Sequence, residues 1–302
     1  MNCTHAPSDP AAWAATGLEL LRRTSTELPD DITAALQRAA DDAREDSAAT
    51  AILRTLIENA GLARTAPSPI CQDTGTLTCW IGIPPGFDPS PMLDGLRAAV
   101  AESTRRGYLR RNTIETLSGT SCDDNLAEGA PVMHVETVPG TDDVRLWLLL
   151  KGGGCENVST QYSLPDASLP AGRDLEGVRA CVLHAVWRAQ GLGCAPGVLG
   201  VCIGGDRAEG YLHAKRQLLR PLDDSAPEPE LAELEKRLLQ EANTLGIGPM
   251  GLGGGTTLLG VKLAARSRLP ASYFVTIAYS CWACRRRGCV ATRDGVVKGW
   301  LG

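Results

Sequence analysis

The sequence TAPSPICQDTGTLTCWIGI, residues 65–83, marks the point where the chain changes from helical to strand periodicity. Before it, the apolar residues between Ala51 and Ala60 recur with the spacing of one helix face, and Gly61 is predicted to end that helix. After it, apolar residues alternate with others over 77–83, as in a half-buried strand that points Cys79 toward the core. We therefore predict a helical N-terminal region over about residues 1–65, followed by sheet.

Helical and strand patterns continue to alternate over the rest of the chain. Helices are predicted over about 90–107, 174–190, 207–219 and 229–244, and strands over 198–203, 257–263 and 273–279. Segments 132–138 and 144–150 are predicted to form a β-hairpin through the Pro-Gly turn between them. This order predicts an α/β fold of mixed α+β type, with a helical N-terminal layer packed on a mixed sheet, in one catalytic domain over residues 1–302.

Charge and hydropathy exclude several classes of protein. The net charge is −5, and the only dense basic run, Arg285–Arg287, is too short to cover a nucleic-acid backbone. No apolar stretch reaches the roughly 18 residues that a membrane span needs. The N-terminus, Met1–His5, lacks the basic and apolar regions of a signal peptide. The predicted location is the cytoplasm, with neither nucleic acid nor membrane as a partner.

Three of the eleven cysteines lie in an unusual setting. Cys71, Cys194 and Cys281 each occupy a junction between regular elements, beside glycine, proline or a short polar run. Such junctions present side chains to a cleft rather than to a core. Three soft thiolates from distant points suit an iron–sulfur cubane that leaves one iron open as a Lewis acid. The alternative for each is a buried thiol that only packs.

Short motifs in a fixed order connect these cysteines to a known family. They are Cys71-Gln72-Asp73-Thr74-Gly75, Lys151–Asn157 (KGGGCEN), Gly193-Cys194-Ala195-Pro196, Ala214–Arg216 with Leu219–Pro221, Leu245–Pro249 (LGIGP), and Cys281-Trp282-Ala283 with Arg285-Arg286. In these motifs the chain resembles the α subunit, or catalytic iron–sulfur domain, of class I fumarases and L(+)-tartrate dehydratases. The resemblance runs from the N-terminal helices to about Arg287.

The resemblance implies a cofactor and a set of site residues. It implies a [4Fe–4S] cluster held by Cys71, Cys194 and Cys281, with substrate on the fourth iron. Gln72 and Asp73 would line the pocket as catalytic and substrate-binding residues. Arg110 would hold a substrate carboxylate, and Gly154 would approach the substrate through its backbone. These residue types suit an anion, since a guanidinium grips a carboxylate by two hydrogen bonds and glycine leaves amides accessible.

The activity implied is that of a hydro-lyase that reversibly adds water to, or removes it from, a small dicarboxylate of the fumarate/malate type. In this family the base for the carbon-bound proton belongs to a smaller C-terminal domain. The resemblance therefore implies a separately encoded β subunit like that domain, an α2β2 hetero-oligomer, and no activity from this chain alone. Lys215 and Arg216 are interpreted as residues of the pocket rim or of the subunit interface.

Two departures from the family pattern bear on the substrate. Met250 stands where family members commonly carry Gln, and Leu269 stands where they commonly carry a His that reaches the substrate in fumarases. Fewer polar contacts favour, as an alternative, a dicarboxylate that carries an apolar group such as methyl, and the resemblance to tartrate dehydratase implies L(+)-tartrate as another. Two further hypotheses remain: a non-catalytic iron–sulfur subunit, and a zinc-stabilised protein that uses the cluster Cys281, Cys284 and Cys289.

Overall fold

The computed structural model of the chain describes residues 9–45 and 47–302, and the prediction made for Met1–His5 lies outside them. The helices are α1 (Pro10–Thr26), α2 (Asp30–Asp42), α3 (Ala48–Thr65), α4 (Ser90–Arg105), α5 (Gly153–Val158), α6 (Leu175–Ala189), α7 (Arg207–Gln217) and α8 (Pro229–Thr244). The strands are β1 (Thr76–Ile83), β2 (Val132–Thr137), β3 (Val144–Lys151), β4 (Thr160–Ser163), β5 (Gly197–Gly204), β6 (Leu258–Arg266), β7 (Phe274–Ser280), β8 (Arg285–Ala291) and β9 (Val297–Leu301). Among the described helices, none combines the length and apolar character that a membrane crossing requires.

The described residues form two compact units, each with its own sheet and core. Both sheets are mixed and both are accompanied by helices, so the predicted α/β class is confirmed. The N-terminal helices are divided between the units, because α1 belongs to unit 1 and α2 to unit 2. That the whole chain acts as one domain stays a prediction.

Unit 1 contains the described residues up to Pro29, with Asn59–Lys151 and Arg285–Gly302. Its strands lie in the order β2-β1-β3-β8-β9, with β1 and β2 parallel and the other neighbours antiparallel. Helices α1 and α4 approach closely because Gly95 has no side chain; a Cβ there would come within 2.7 Å of the Trp13 Cβ. Both helices pack on the sheet around the fully buried Trp13 and Ile81. This core fixes β1, whose first residue directly follows the loop Cys71–Gly75.

Unit 2 contains the described residues of Asp30–Glu58, with Gly152–Cys284. Its strands lie in the order β4-β7-β5-β6, with β5 and β6 parallel. Strand β5 is buried along its whole length beneath α6, α7 and α8. Strands β5 and β7 are antiparallel neighbours, and Val198 near the start of β5 pairs with Ser280 at the end of β7. The segment before β5, residues 194–196, and the segment after β7, residues 281–283, therefore lie at the same end of these two strands.

Several sequence predictions about local structure are wrong. Segments β2 and β3 do not form a hairpin, because β1 lies between them and pairs with both. Helix α3 continues through Gly61 to Thr65, since the glycine is exposed and nothing there opposes helical geometry. Strand β1 is buried on both faces over 77–83 rather than half-buried. The C-terminal hairpin of β8 and β9 was not predicted at all.

Candidate active site

In unit 1, the loop Cys71–Gly75 lies against the segment that carries Arg110. The buried Thr74 accepts a hydrogen bond at its Oγ1 from the backbone N–H of Arg110, at 3.2 Å. The Asn112 side-chain amide donates to Asp73 Oδ1 at 3.4 Å. Unit 1 thus brings together Asp73 and Arg110, two of the residues predicted to bind substrate. Their neighbours are suitably accessible, with Gln72 exposed and Cys71 half-buried.

Asn125 holds the Arg110 segment in place, a role that sequence reasoning missed. Its side-chain oxygen accepts the backbone N–H groups of Asn112 and Thr113, at 2.9 and 3.0 Å. Its side-chain nitrogen donates to the Arg110 carbonyl at 2.7 Å and to Thr104 Oγ1 at 3.0 Å. The residue is 2% exposed and has a φ of 61°, a conformation that asparagine tolerates better than most residues. The amide of Asn125 therefore makes three hydrogen bonds to the segment 110–113 and a fourth to Thr104 of α4.

Arg285 reaches the same loop from the start of β8. Its Nη2 donates to the Asp73 carbonyl at 2.8 Å, while the side chain is almost fully buried. Its Nε and Nη1 are buried and have no hydrogen-bond partner among the described residues. A buried guanidinium with two unused donors is costly unless an anion completes its coordination. From the sequence, Arg285 had no predicted role beyond a basic run and the Cys281 motif, and its hydrogen bond to the Asp73 carbonyl adds it to the candidate site.

In unit 2, two of the three predicted cluster cysteines are neighbours. The Trp282 backbone N–H donates to the Cys194 carbonyl at 3.2 Å, which joins the segment after Cys194 to the segment after Cys281. Cys194 is exposed and has a φ of 53°, a left-handed conformation that costs energy for a residue with a side chain. Cys281 is buried. An exposed thiol held in a strained turn beside a second thiol is an arrangement typical of a ligand site.

Tyr279 lies behind this cysteine turn and was also missed. Its ring packs against Gly193 and Gly197, where a Cβ would come within 2.8 Å of ring carbons. The residue is 2% exposed, and its hydroxyl has no hydrogen-bond partner among the described residues. Burial raises the pKa of this phenol well above its usual range, and the neighbouring thiols of Cys155, Cys281 and Cys194 raise it further. The hydroxyl is therefore a protonated donor in a group of cysteines.

Gly154 lies in the first turn of the short helix α5. The residue is exposed, and a Cβ on it would lie 3.7 Å from the Leu192 carbonyl, so it borders the segment that leads into Cys194. In the same helix, Glu156 forms an ion pair of 2.6 Å with Lys215. Lys215 thus contacts the KGGGCEN stretch within unit 2, and its predicted role at a rim or interface stays a prediction.

Met250, the first departure from the family pattern, also borders the cysteine turn. Its backbone N–H donates to the Ala195 carbonyl at 2.9 Å, and its φ is 53°. Leu269, the second departure, is 74% exposed in the loop between β6 and β7. The structure therefore puts Met250 beside a predicted ligand, whereas Leu269 lies on the surface of unit 2.

The other cysteines behave as packing residues. Burial raises the pKa of Cys79, Cys181 and Cys289 to about 12, and that of Cys202 to about 11, so these thiols stay protonated and are poor metal ligands. The predicted core position of Cys79 is confirmed, and Cys181 and Cys202 are fully buried as well. Because Cys289 belongs to the core of unit 1, a zinc site with Cys281 and Cys284 is disfavoured.

The donor chemistry fits an iron–sulfur cluster better than a single ion. Within residues 9–45 and 47–302, no three His, Cys, Asp or Glu side chains surround a point where one metal ion would bind. In a cubane each thiolate binds a different iron, so its ligands do not converge on one point. Two adjacent cysteines and a buried, unused hydroxyl donor beside them suit such a group. That Cys71 of unit 1 completes the ligand set stays a prediction.

Comparison with known proteins identifies the family of the chain. Residues 15–290 match the protein family described as fumarate hydratase (Fumerase). A protein of Geobacillus stearothermophilus named as a class I fumarate hydratase is 46% identical over 287 residues, which cover 94% of this chain and 56% of that protein. The L(+)-tartrate dehydratase subunit alpha of Escherichia coli K12 is 31% identical over 268 residues, covering 87% and 85% of the two chains. The chain belongs to the fumarate hydratase family, and it spans just over half the length of its Geobacillus relative.

A relative in Methanocaldococcus jannaschii, named as an L(+)-tartrate dehydratase subunit alpha, is 32% identical over 274 residues, with 89% of this chain and 94% of that protein covered. The names of all three relatives denote hydro-lyases, enzymes that add water to a dicarboxylate or remove it. The predicted resemblance to class I fumarases and tartrate dehydratase α subunits is confirmed.

Proposed function

We propose that this chain is the α-type catalytic subunit of a two-subunit [4Fe–4S] hydro-lyase, which reversibly adds and removes water on a small dicarboxylate of the fumarate/malate type. The observation that carries the proposal is that two hydrogen bonds join the loop Cys71–Gly75 to the segment that carries Arg110 in unit 1, one from the Arg110 backbone N–H to Thr74 and one from Asn112 to Asp73. The adjacent Cys194 and Cys281 of unit 2 supply independent support. Membership of the fumarate hydratase family agrees with both.

The residues of the site have distinct tasks in this proposal. Arg110 grips one substrate carboxylate, because a guanidinium and a carboxylate form two parallel charge-assisted hydrogen bonds. Gln72 and Asp73 fix the orientation of the rest of the substrate by hydrogen bonds, and Gly154 admits the substrate close to its backbone. Arg285 holds the Asp73 carbonyl and keeps the loop rigid. Orientation of this kind lowers the barrier by removing freedom of motion before the reaction begins.

Cys71, Cys194 and Cys281 would hold the cluster. When bound, a [4Fe–4S] cluster with one iron not held by cysteine supplies a Lewis acid for the substrate hydroxyl that is lost or gained. Elimination of water also requires a base for the carbon-bound proton. We assign that base to a β subunit. The name of the Escherichia coli relative, a subunit alpha, supports a second subunit.

The test is anaerobic co-expression with the candidate β subunit, followed by joint purification and an assay of fumarate hydration. The proposal expects activity from the two chains together and none from either alone. The Arg110→Ala variant of the complex should keep its iron and sulfide content while the KM for the dicarboxylate rises. A cluster-loaded complex that turns over neither fumarate, malate nor tartrate would instead support a non-catalytic iron–sulfur subunit.

Met250 supports a second candidate substrate, a methyl-substituted dicarboxylate, while the names of the tartrate dehydratase relatives support L(+)-tartrate. The Met250 backbone is hydrogen-bonded to the Ala195 carbonyl, and a thioether at this position offers apolar contact where an amide would offer hydrogen bonds. Steady-state kinetics of the complex with malate, tartrate and a methylated analogue decide between the candidates. The Met250→Gln variant should shift kcat/KM toward malate. A wild-type complex that strongly prefers malate contradicts this second candidate and leaves the first intact.

A further inference from the structure

The orientation of Tyr279 is fixed by packing on both sides of the turn that carries Cys194. Gly193 and Gly197 flank that turn, and neither has room for a Cβ because the tyrosine ring fills the space. The backbone N–H of Tyr279 donates to Ser159 Oγ at 3.1 Å, which fixes the strand at this position. The ring therefore cannot swing away without opening the turn between Gly193 and Gly197.

The Tyr279 hydroxyl is buried by this packing and has no hydrogen-bond partner among the described residues. It is inaccessible to solvent, and no described residue accepts its proton or donates to its oxygen. A buried polar group without a partner is destabilising, and a phenylalanine would fill the same space without that cost. A tyrosine at this position is thus explained only by an acceptor that arrives after folding.

The surroundings of the hydroxyl indicate what that acceptor is. The Tyr279 ring contacts Gly193 and Gly197, which lie on either side of Cys194, and Tyr279 itself lies two residues before Cys281 in the chain. Both of these cysteines are proposed cluster ligands. Thiolate and bridging sulfide are both electron-rich sulfur atoms, and hydrogen bonds to such sulfurs alter the stability and reduction potential of iron–sulfur clusters.

We propose that the Tyr279 hydroxyl donates a hydrogen bond to a sulfur atom of the bound iron–sulfur cluster, either a cysteine thiolate or a sulfide. The inference rests on the proposed function for the presence of the cluster, and it assigns a new residue to holding it. The hydrogen bond stabilises the cluster and favours its reduced state, because added negative charge on sulfur strengthens the bond.

The experiment compares wild-type complex with Tyr279→Phe, which removes one oxygen and keeps the ring packed between Gly193 and Gly197. Both are purified anaerobically, and the cluster is followed without substrate, so that a hydrogen bond to substrate cannot account for the result. The variant should show a more negative midpoint potential in a titration monitored by electron paramagnetic resonance. Its cluster should lose iron in air about tenfold faster, as expected for the loss of one hydrogen bond to a charged acceptor.

The melting temperature of the cluster-free chain distinguishes this role of Tyr279 from a purely structural one. Without a cluster, Tyr279→Phe should melt at the wild-type temperature or above, because it removes an unsatisfied hydroxyl. Tyr162→Phe is the matched control, since the Tyr162 hydroxyl is paired with His184 Nδ1 at 2.9 Å. It should lower the melting temperature with and without the cluster and leave the potential unchanged.

Two outcomes overturn the inference, and they are distinguishable. If wild-type complex holds a cluster and Tyr279→Phe has the same potential and the same rate of iron loss, this inference fails while the proposed function stands. If anaerobic wild-type complex contains no acid-labile sulfide, the proposed function fails and this inference fails with it.

Discussion

Replacement of Asn125 is expected to release the loop that holds Arg110. Asn125→Gly removes four hydrogen bonds at 2.7 to 3.0 Å and keeps a residue for which a φ of 61° is not strained. One hydrogen bond contributes about 0.5–1.5 kcal/mol to stability after its exchange with water is counted. The N–H groups of residues 112 and 113 can bind water at the surface once Asn125 is gone. The expected loss of unfolding free energy is therefore about 3 kcal/mol. Asn125→Ala adds the strain of a left-handed conformation, about 1 kcal/mol more.

Urea unfolding followed by tryptophan fluorescence measures this loss of stability mainly in unit 1, which contains Asn125. Trp13, Trp80, Trp147 and Trp300 belong to unit 1, and only the other two tryptophans belong to unit 2. Asn125→Asp is the matched variant, because it keeps the oxygen that accepts from residues 112 and 113 and loses the two donated bonds.

The Asn125→Asp variant should lose at least as much stability as the glycine variant, because its second carboxylate oxygen faces the Arg110 carbonyl in a buried site. In the complex, Asn125→Gly should also raise the KM for the dicarboxylate, since the Arg110 carbonyl is no longer held. An Asn125→Gly protein that unfolds within about 0.5 kcal/mol of wild type would refute the reasoning, since surface changes of no consequence fall in that range.

The remaining predictions concern pH, packing and a buried charge. Hydrogen bonds from two arginines hold the pKa of Glu19 at about 2, below its ordinary 4.5, and the bond from Arg22 has a larger effect than the bond from Arg23. The carboxylate therefore stabilises the fold above pH 4.5, and this contribution is lost as the pH falls toward 2. The Glu19→Gln variant should accordingly have a lower melting temperature than wild type at pH 6 and the same melting temperature at pH 2. Gly197→Ala forces a Cβ into the Tyr279 ring and should lower the free energy of unfolding by about 1–3 kcal/mol in a denaturant titration. Arg285→Lys loses the hydrogen bond to the loop carbonyl and should raise the KM about tenfold in steady-state assays.

Each of these has a control or a contradicting result. A Glu19→Gln protein whose stability differs from wild type equally at pH 6 and pH 2 contradicts the assigned pKa. Gly255→Ala is the packing control, because a Cβ there meets nothing within 4 Å, and an equal loss in both variants would contradict the steric argument. Arg287→Lys controls for charge in β8, since Arg287 is only half-buried; a KM change of the same size there would argue against a specific role for Arg285.

Local elements were predictable from the sequence, while their pairing was not. The helices α4, α6, α7 and α8 and the strands β5, β6 and β7 lie within a few residues of their predicted bounds. Alternation identifies a strand but not its neighbour, so β2 and β3 were joined as a hairpin although β1 separates them. A short loop between two strands favours direct pairing only when no third strand is buried between them, and the burial of β1 on both faces is a tertiary feature.

The candidate site shows the same limit. Asp73 and Arg110 were found through motif resemblance, and the structure brings them together. Asn125 lies in a polar segment without periodicity, and its role depends on a left-handed backbone that no local pattern reports. Arg285 was recognised only as part of a basic run and a motif, because its burial and its hydrogen bond to the Asp73 carbonyl depend on the whole fold. Tyr279 shows only the alternation of a strand residue, whereas its unsatisfied hydroxyl becomes apparent in three dimensions.

We propose that Cys71, Cys194 and Cys281 together hold one cluster. Iron and acid-labile sulfide analysis of anaerobically purified protein is the most direct test. We expect about four iron and four sulfide per wild-type chain. We expect their loss in each of Cys71→Ser, Cys194→Ser and Cys281→Ser, and their retention in Cys284→Ser. Wild-type protein that contains zinc without sulfide, or a Cys71→Ser variant that keeps its full cluster, would contradict the account.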